Sequence, residues 1–267
     1  MSDMIQKATA QSVTKNTDAK TSMQVYIKQM QGEIKKALPA VMTPERFTRI
    51  VLSALSTNPK LAQTTPQSFL AAMMTAAQLG MEPNTPLGQA YLIPYYNNRS
   101  KCNECQFQLG YKGLIDLAYR SGEVSIIQAQ VVYERDEFIY SFGLEPILKH
   151  IPAASGRGEP IYVYAMFRTK EGGFGFDVMS MDAIRSFAQQ YSKSFSSGPW
   201  QTNFEEMAKK TVLKKVLKYA PLKSDFLRGM ALDGTVKNEV SEDMYAVPGT
   251  VLEVDSETGE VTEVGSA

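Results

Sequence analysis

The residues best placed to do chemistry in this sequence are lysines that recur in one short stretch. Lys209, Lys210, Lys214, Lys215 and Lys218 all fall between Glu205 and Tyr219. At the helical step of about 100° per residue, Val212, Leu213, Val216, Leu217, Tyr219 and Ala220 share one arc. Lys210, Lys214, Lys215 and Lys218 fall on the opposite arc, and Lys209 sits nearer the apolar edge. Glu205 and Glu206 stand in the first turn, where they suit the helix dipole. From Lys209 to Lys223 no acid interrupts the series. A merely solvated face usually mixes signs, because Lys and Glu four residues apart attract while two lysines repel. The unmixed face instead suits a polyanion, each ammonium neutralising a phosphate and releasing its counterion.

A second set of cations is mixed with aromatic residues. Arg99 and Lys101 lie in the polar stretch Asn97–Glu104, and Lys112 and Arg120 lie on a short helical stretch after it. Asp116 is four residues from both Lys112 and Arg120, so local pairing is the alternative use for those two. Tyr95, Tyr96, Phe107, Tyr111, Phe195 and Trp200 lie near loops or turns. Cations interleaved with loop aromatics fit a single-stranded nucleic-acid groove, with phosphates on the cations and bases on the rings. Core packing is the competing use of such rings, most of all for Phe107 and Tyr111. Trp200, in the loop sequence Ser196-Ser197-Gly198-Pro199-Trp200, is the better stacking candidate.

Other chemistries lack their parts. Cys102-Asn103-Glu104-Cys105 has the spacing of half a zinc knuckle, but the sequence supplies no second pair, so no metal site is expected. Two cysteines also exclude a secreted disulfide scaffold. A catalytic triad or a multi-histidine centre would rest on His150 alone. No phosphate-binding loop of the Gly-x-x-x-x-Gly-Lys-Ser/Thr type occurs. Gly156-Arg157-Gly158 lacks the third glycine and the setting of a dinucleotide loop, and the carboxylates show no spacing of a nuclease metal pair. No catalytic residue is assigned, and binding is favoured over catalysis.

The elements that must position these residues follow from composition and pattern. The chain has 267 residues, 43% of them hydrophobic, enough for a sizeable core. It has no apolar run of membrane-spanning length and no apolar signal-peptide stretch, so an intracellular, non-membrane protein is expected. The 28 basic and 28 acidic residues balance, but unevenly along the chain. From Asp233 onward nine acids face one base, Lys237, giving −8 for the last 35 residues and +8 for the first 232. A basic body points to an anionic partner. The acidic tail is a docking segment, a competitor for the basic surface, or only a solubiliser. Deleting everything after Asp233 is the test the sequence suggests: tighter binding of the anionic partner would mean self-screening, unchanged binding a docking role.

Residues 1–20 are polar and aperiodic, as in disordered segments, and 21–232 are expected to form the core. A helix is expected over Ser22–Leu38. Thr43-Pro44 and Thr65-Pro66 each start another, with Thr as N-cap and Pro in the first turn, and Gly80 stops the second. Gln89–Tyr96 and Gln106–Leu109 read as paired strands around a polar tip, followed by a helix over Gly110–Ser121. Val124–Tyr133, Glu137–Phe142, Ile161–Arg168 and Phe174–Met179 are strand-like, with a turn at Glu171-Gly172-Gly173. Helices over Met181–Tyr191 and Asn203–Tyr219 close the series. The fold class is α+β: a largely antiparallel sheet with hairpins, flanked by N-terminal helices and a basic C-terminal helix, and ending in a disordered or small acidic tail.

Three separated stretches then read together. Gln78-Leu79-Gly80-Met81-Glu82-Pro83 leads to Leu87-Gly88-Gln89-Ala90-Tyr91-Leu92-Ile93-Pro94. Gly110-Tyr111-Lys112-Gly113-Leu114-Ile115-Asp116-Leu117-Ala118 follows. The third is Gly198-Pro199-Trp200 with Glu205-Glu206-Met207-Ala208-Lys209-Lys210-Thr211. From Met23 to Asp233 the chain closely resembles the RecT family of phage single-strand annealing proteins, related in function to the phage lambda Beta protein. The resemblance implies ATP-independent annealing of complementary DNA strands in phage recombination inside the bacterial cytoplasm. It implies a homo-oligomer, ring or helical filament, that holds single-stranded and annealed duplex DNA. It also implies a phage 5′-to-3′ exonuclease partner. It requires no cofactor, with Mg²⁺ at most modulating DNA binding. Its motif positions put Tyr111, Lys112, Lys209, Lys210, Lys214 and Lys215 on DNA. Arg185 and Lys218 join them from charge and helical facing, and Arg99, Lys101, Phe107 and Trp200 from the loop reading above. Two features depart from the family: Cys102 and Cys105 have no place in its lysine-rich hairpin, and Phe204 stands where some relatives carry a second Trp. A host single-strand-binding protein is a further expected partner, through the tail. Two other classes stay open, a metal-dependent DNA-processing enzyme and a non-DNA scaffold whose lysine face binds an acidic protein.

Overall fold

The computed structural model describes residues 20–191, 195, 199–221, 231–241, 243–254 and 261–266, the last two stretches beyond Thr250 by their backbone alone. It divides into two compact units, Met1–Leu114 with Leu227–Ala267, and Ile115–Phe226. The disorder expected for 1–20 falls, except for Lys20, outside the described residues.

The first unit is built on helices whose caps are written in the sequence. The helix expected over Ser22–Leu38 is two, α1 (20–29) and α2 (Gln31–Ala37), parted by a turn at Met30. In α3 (Pro44–Thr57) the Thr43 hydroxyl accepts from the Arg46 amide at 3.4 Å. In α4 (Pro66–Leu79) Thr65 accepts from the Ser68 amide in the same way, satisfying a donor the helix start leaves open. Gly80 ends α4 in the left-handed region at φ 61°, where glycine has no Cβ to clash. Ala71, Ala72, Ala76 and Ala77 let neighbours approach α4 on several sides, and Phe69, Met73 and Met74 fill the space between.

Strands β1 (Ala90–Asn97) and β2 (Cys102–Leu109) pair antiparallel from Ala90↔Leu109 to Asn97↔Cys102. β2 is longer than its sequence pattern suggested, so the tip is only residues 98–101. Further along, β8 (Thr235–Val236) pairs with β2, β9 (Thr250–Val254) with β8, and β10 (Val261–Ser266) with β9. The sheet order is β1-β2-β8-β9-β10. The stretch after Asp233 therefore enters the core of this unit: Val236, Met244 and Val247 are buried. The Leu109 amide donates to Asp233 Oδ1 at 2.8 Å, and the Gly234 amide to the Phe107 carbonyl at 3.0 Å. Gln78 of α4 donates to Asp243 Oδ1 and accepts from the Met244 amide, clamping residues 243–247 onto the helix.

The second unit centres on a three-stranded antiparallel sheet in the order β3-β6-β7, made of β3 (Val124–Tyr133), β6 (Pro160–Thr169) and β7 (Phe174–Ser180). β4 (Glu137–Ser141) and β5 (Ile147–Ile151) form a separate hairpin. The tight β6–β7 turn uses Gly172 at φ 90°. α6 (Met181–Tyr191), α7 (Pro199–Thr202) and α8 (Phe204–Leu217) follow, and α8 packs against all three strands of the sheet. α5 (Tyr111–Arg120) runs across the boundary between the units in sequence.

Candidate nucleic-acid interface

Helix α8 is amphipathic, as its spacing predicted, except that it ends at Leu217 and leaves Tyr219, expected on the apolar arc, 84% exposed. Ala208, Val212, Leu213, Val216 and Leu217 are buried, while Lys215 and Lys218 are exposed and Lys209, Lys210 and Lys214 are half-exposed. The face is not free of acids, however. Lys215 Nζ lies 3.1 Å from Asp177 Oδ2 on β7, and Lys209 Nζ lies 2.9 Å from Glu206 Oε1. The first of these partners was invisible in the sequence, because Asp177 comes from another element.

Arg185 projects from α6, exposed, with its guanidinium 5.5 Å from the centre of the Phe204 ring. Phe204 in turn meets Trp200 at 5.5 Å between ring centres. Trp200 is only 5% exposed and Phe107 only 1%. Neither ring offers a face to a base, so the stacking expected of both is corrected to packing. Trp200 supports Phe204, and Phe107 fills the core beneath β2. Phe204, the position where some relatives carry a second Trp, is half-buried and carries the arginine.

In the first unit the glycines of the motif explain one another. The Gly110 amide donates to the Gln89 carbonyl at 2.8 Å. A methyl at Gly110 would collide with the Gly88 carbonyl oxygen, and one at Gly113 with the Gln89 carbonyl oxygen. The start of α5 is thus pressed backbone to backbone against the entry to β1, a packing only glycine permits. This seats Tyr111 half-buried and Lys112 exposed at the helix start. A Cβ on Gly88 would stand 3.2 Å from the Tyr91 hydroxyl and 3.6 Å from Lys112 Cδ, so Tyr91, 40% exposed, shares this corner. Tyr91 lay inside the motif; strand alternation between buried Ala90 and Leu92 is the signal that would have singled it out. Arg120 pairs with Asp116 at 3.0 Å, the local partner the spacing offered.

Arg99 and Lys101 are exposed on the β1–β2 tip, and Lys101 takes a left-handed φ of 52°. Tyr95 beside them is buried, whereas Tyr96 is 49% exposed. Cys102 and Cys105 are both free thiols, and burial pushes that of Cys105 far up. Among the described residues no group of three metal-ligating side chains gathers, and no helix is long and apolar enough to cross a membrane. His150 is structural: its Nε2 lies 3.0 Å from Asp136 Oδ2 and its Nδ1 3.3 Å from the Tyr164 hydroxyl. Arg157 completes that cluster, donating to both oxygens of Asp136, with its guanidinium 4.2 Å from the Tyr133 ring centre. Gly156-Arg157-Gly158 thus serves an internal ion pair.

The chain matches the RecT family over residues 45–245. It belongs to the RecT family. It is 40% identical over 206 residues to Protein RecT of Escherichia coli strain K12, covering 76% of each chain. It is 26% identical over 273 residues to the uncharacterized protein YqaK of Bacillus subtilis strain 168, covering 97% of this chain and 92% of that one. Membership carries the coarse role the resemblance implied: single-strand DNA annealing in recombination, in a family of annealing proteins rather than classical enzymes.

Proposed function

We propose that this protein anneals complementary DNA strands without ATP, binding a single strand by its phosphates as an oligomer or filament and pairing it with its complement. The observation that carries the reading is α8, its apolar arc seated on the second unit's sheet and its lysines exposed or half-exposed around the rest of the helix. Arg185, Lys209, Lys210, Lys214, Lys215 and Lys218 serve that contact in the second unit, and Tyr111, Lys112, Arg99 and Lys101 in the first. Contact through phosphates leaves base edges free to meet a complement. It also lowers strand–strand repulsion. Pairing is itself downhill by roughly 1.4 kcal/mol per step, so no fuel or cofactor is required, and Mg²⁺ at most modulates DNA binding. Assembly supplies affinity that a few salt-labile contacts per subunit cannot. A 5′-to-3′ exonuclease would expose the strand, and a host single-strand-binding protein would meet the acidic C-terminal residues.

The test is annealing of two complementary oligonucleotides without ATP, comparing wild type with Lys210→Ala/Lys214→Ala. About four phosphates neutralised per subunit predicts a log–log salt slope near −3 on single strands. The double variant, folded, should lose annealing and about 1.4 of that slope, at about 0.7 per lost contact. Absence of annealing by the wild type overturns the reading.

A further inference from the structure

Glu104 is a carboxylate on β2 that is only 4% exposed, two register steps below the pair Asn97↔Cys102 that closes the hairpin. Buried acids need partners, and this one has several. Oε2 accepts from the Tyr95 hydroxyl at 2.5 Å and from Asn97 Nδ2 at 2.9 Å. Oε1 accepts from the Ser100 hydroxyl at 2.9 Å and faces the Cys102 thiol at 3.7 Å. Burial pushes the carboxyl upward, but the four donors together hold it below the usual carboxylate range. Two of them, Asn97 and Ser100, shape the tip itself. The Asn97 side-chain oxygen also accepts from the Arg99 amide at 2.9 Å and the Ser100 amide at 3.4 Å. The tip is therefore tied from below by one acid, while both its cations point outward and Lys101 is held at a φ that a lysine seldom adopts.

A buried, fully bonded carboxylate fixes a unique arrangement more than it adds stability. We infer that Glu104 is a positioning residue for DNA binding: it locks the 98–101 turn so that Arg99 and Lys101 stand ready for neighbouring phosphates of one strand. The inference rests on the annealing reading above. Preorganisation raises affinity because ordering two long side chains on a loose loop would otherwise be charged to binding.

The experiment measures binding of a labelled single-stranded oligonucleotide across a salt series. It compares wild type, Glu104→Gln, Arg99→Ala/Lys101→Ala and the triple variant, with Ser100→Ala as a milder change at an exposed residue and urea unfolding of each variant to show that it is folded. Glutamine offers one acceptor where the site needs two, so Glu104→Gln should loosen the turn. The expected result is a several-fold loss of affinity for Glu104→Gln, a smaller loss for Ser100→Ala, and no further loss when Glu104→Gln is added to the Arg99/Lys101 variant. The Arg99/Lys101 variant should lose about 1.4 of the salt slope, two phosphates at about 0.7 each. Losses that simply add would make Glu104 a general structural residue and overturn the inference, as would wild-type binding by both Glu104→Gln and Ser100→Ala. If the Arg99/Lys101 variant binds as wild type while Lys210→Ala/Lys214→Ala does not, the hairpin inference falls and the annealing reading stands. If wild type itself does not bind, the annealing reading falls first.

Discussion

Truncation separates charge from folding in the C-terminal region, and the place of the cut decides which is read. A cut after Asp233 removes Val236, Met244 and Val247, all buried in the first unit. At roughly 1.5–3 kcal/mol for each buried side chain, the loss is about 5 kcal/mol or more. The Gly234 amide bond to Phe107 and the Gln106 bond to the Gly234 carbonyl go as well, each worth about 1 kcal/mol. A domain is stable by only about 5–15 kcal/mol, so this truncation should unfold the first unit or leave it marginal. Any change in DNA binding would then say nothing of screening. A cut after Gly249 keeps the buried residues and the Gln78 clamp, and still removes Glu253, Asp255, Glu257, Glu260 and Glu263, a charge of −5. Urea unfolding of both truncations, followed by single-strand affinity at several salt concentrations, tests the argument. The longer truncation should lose its main transition, and the shorter should keep it. A protein ending at Asp233 with wild-type stability would refute the reasoning.

Two further changes probe single contacts. Asp136 is held well below the usual carboxylate range, first by Arg157 and then, against the cost of burial, by the Tyr133 amide, His150 and the Ala153 amide. A depressed folded-state pKa gives stability that is present above the unfolded value of about 3.9 and lost as pH falls below it. Asp136→Asn should lower Tm at pH 7 and flatten the fall in Tm below about pH 4; an unchanged acid profile would contradict this. Asp177→Asn frees Lys215, and because exposed ion pairs contribute only about 0–1 kcal/mol, Tm should barely move while single-strand affinity rises a few-fold. Equal or weaker binding would remove Lys215 from the DNA face.

What the sequence made legible was local. Thr43, Thr65 and Gly80 marked helix ends because caps are satisfied within a few residues. Val124–Tyr133 and Met181–Tyr191 were read with the bounds they have, because β-branched runs and helical spacing carry those signals. Long-range pairing was not legible. β8 is two residues long, too short for any periodic signal, yet it joins the C-terminal stretch to the hairpin sheet. Glu104 looked like part of a polar tip because an acid between two cysteines gives no pattern of burial; only its donors, from Tyr95 to Cys102, explain it. Trp200 and Phe107 looked available because loop proximity does not report which side of a loop faces the core.

The partial pairing of the lysine face bears on what annealing needs. A protein that held a single strand too tightly would resist giving it to a duplex. Lys209 and Lys215 already have carboxylates within about salt-bridge reach, at 2.9 and 3.1 Å, so a phosphate that engages either must displace an acid. The exchange returns less free energy than neutralising a bare lysine, because one ion pair is broken for each one made. The slope with salt still counts phosphates, since the released counterions come from the DNA. Steep salt dependence with modest affinity per subunit is therefore what the proposed phosphate contact at this face predicts, each contact being reversible and the proposed assembly keeping the strand in place.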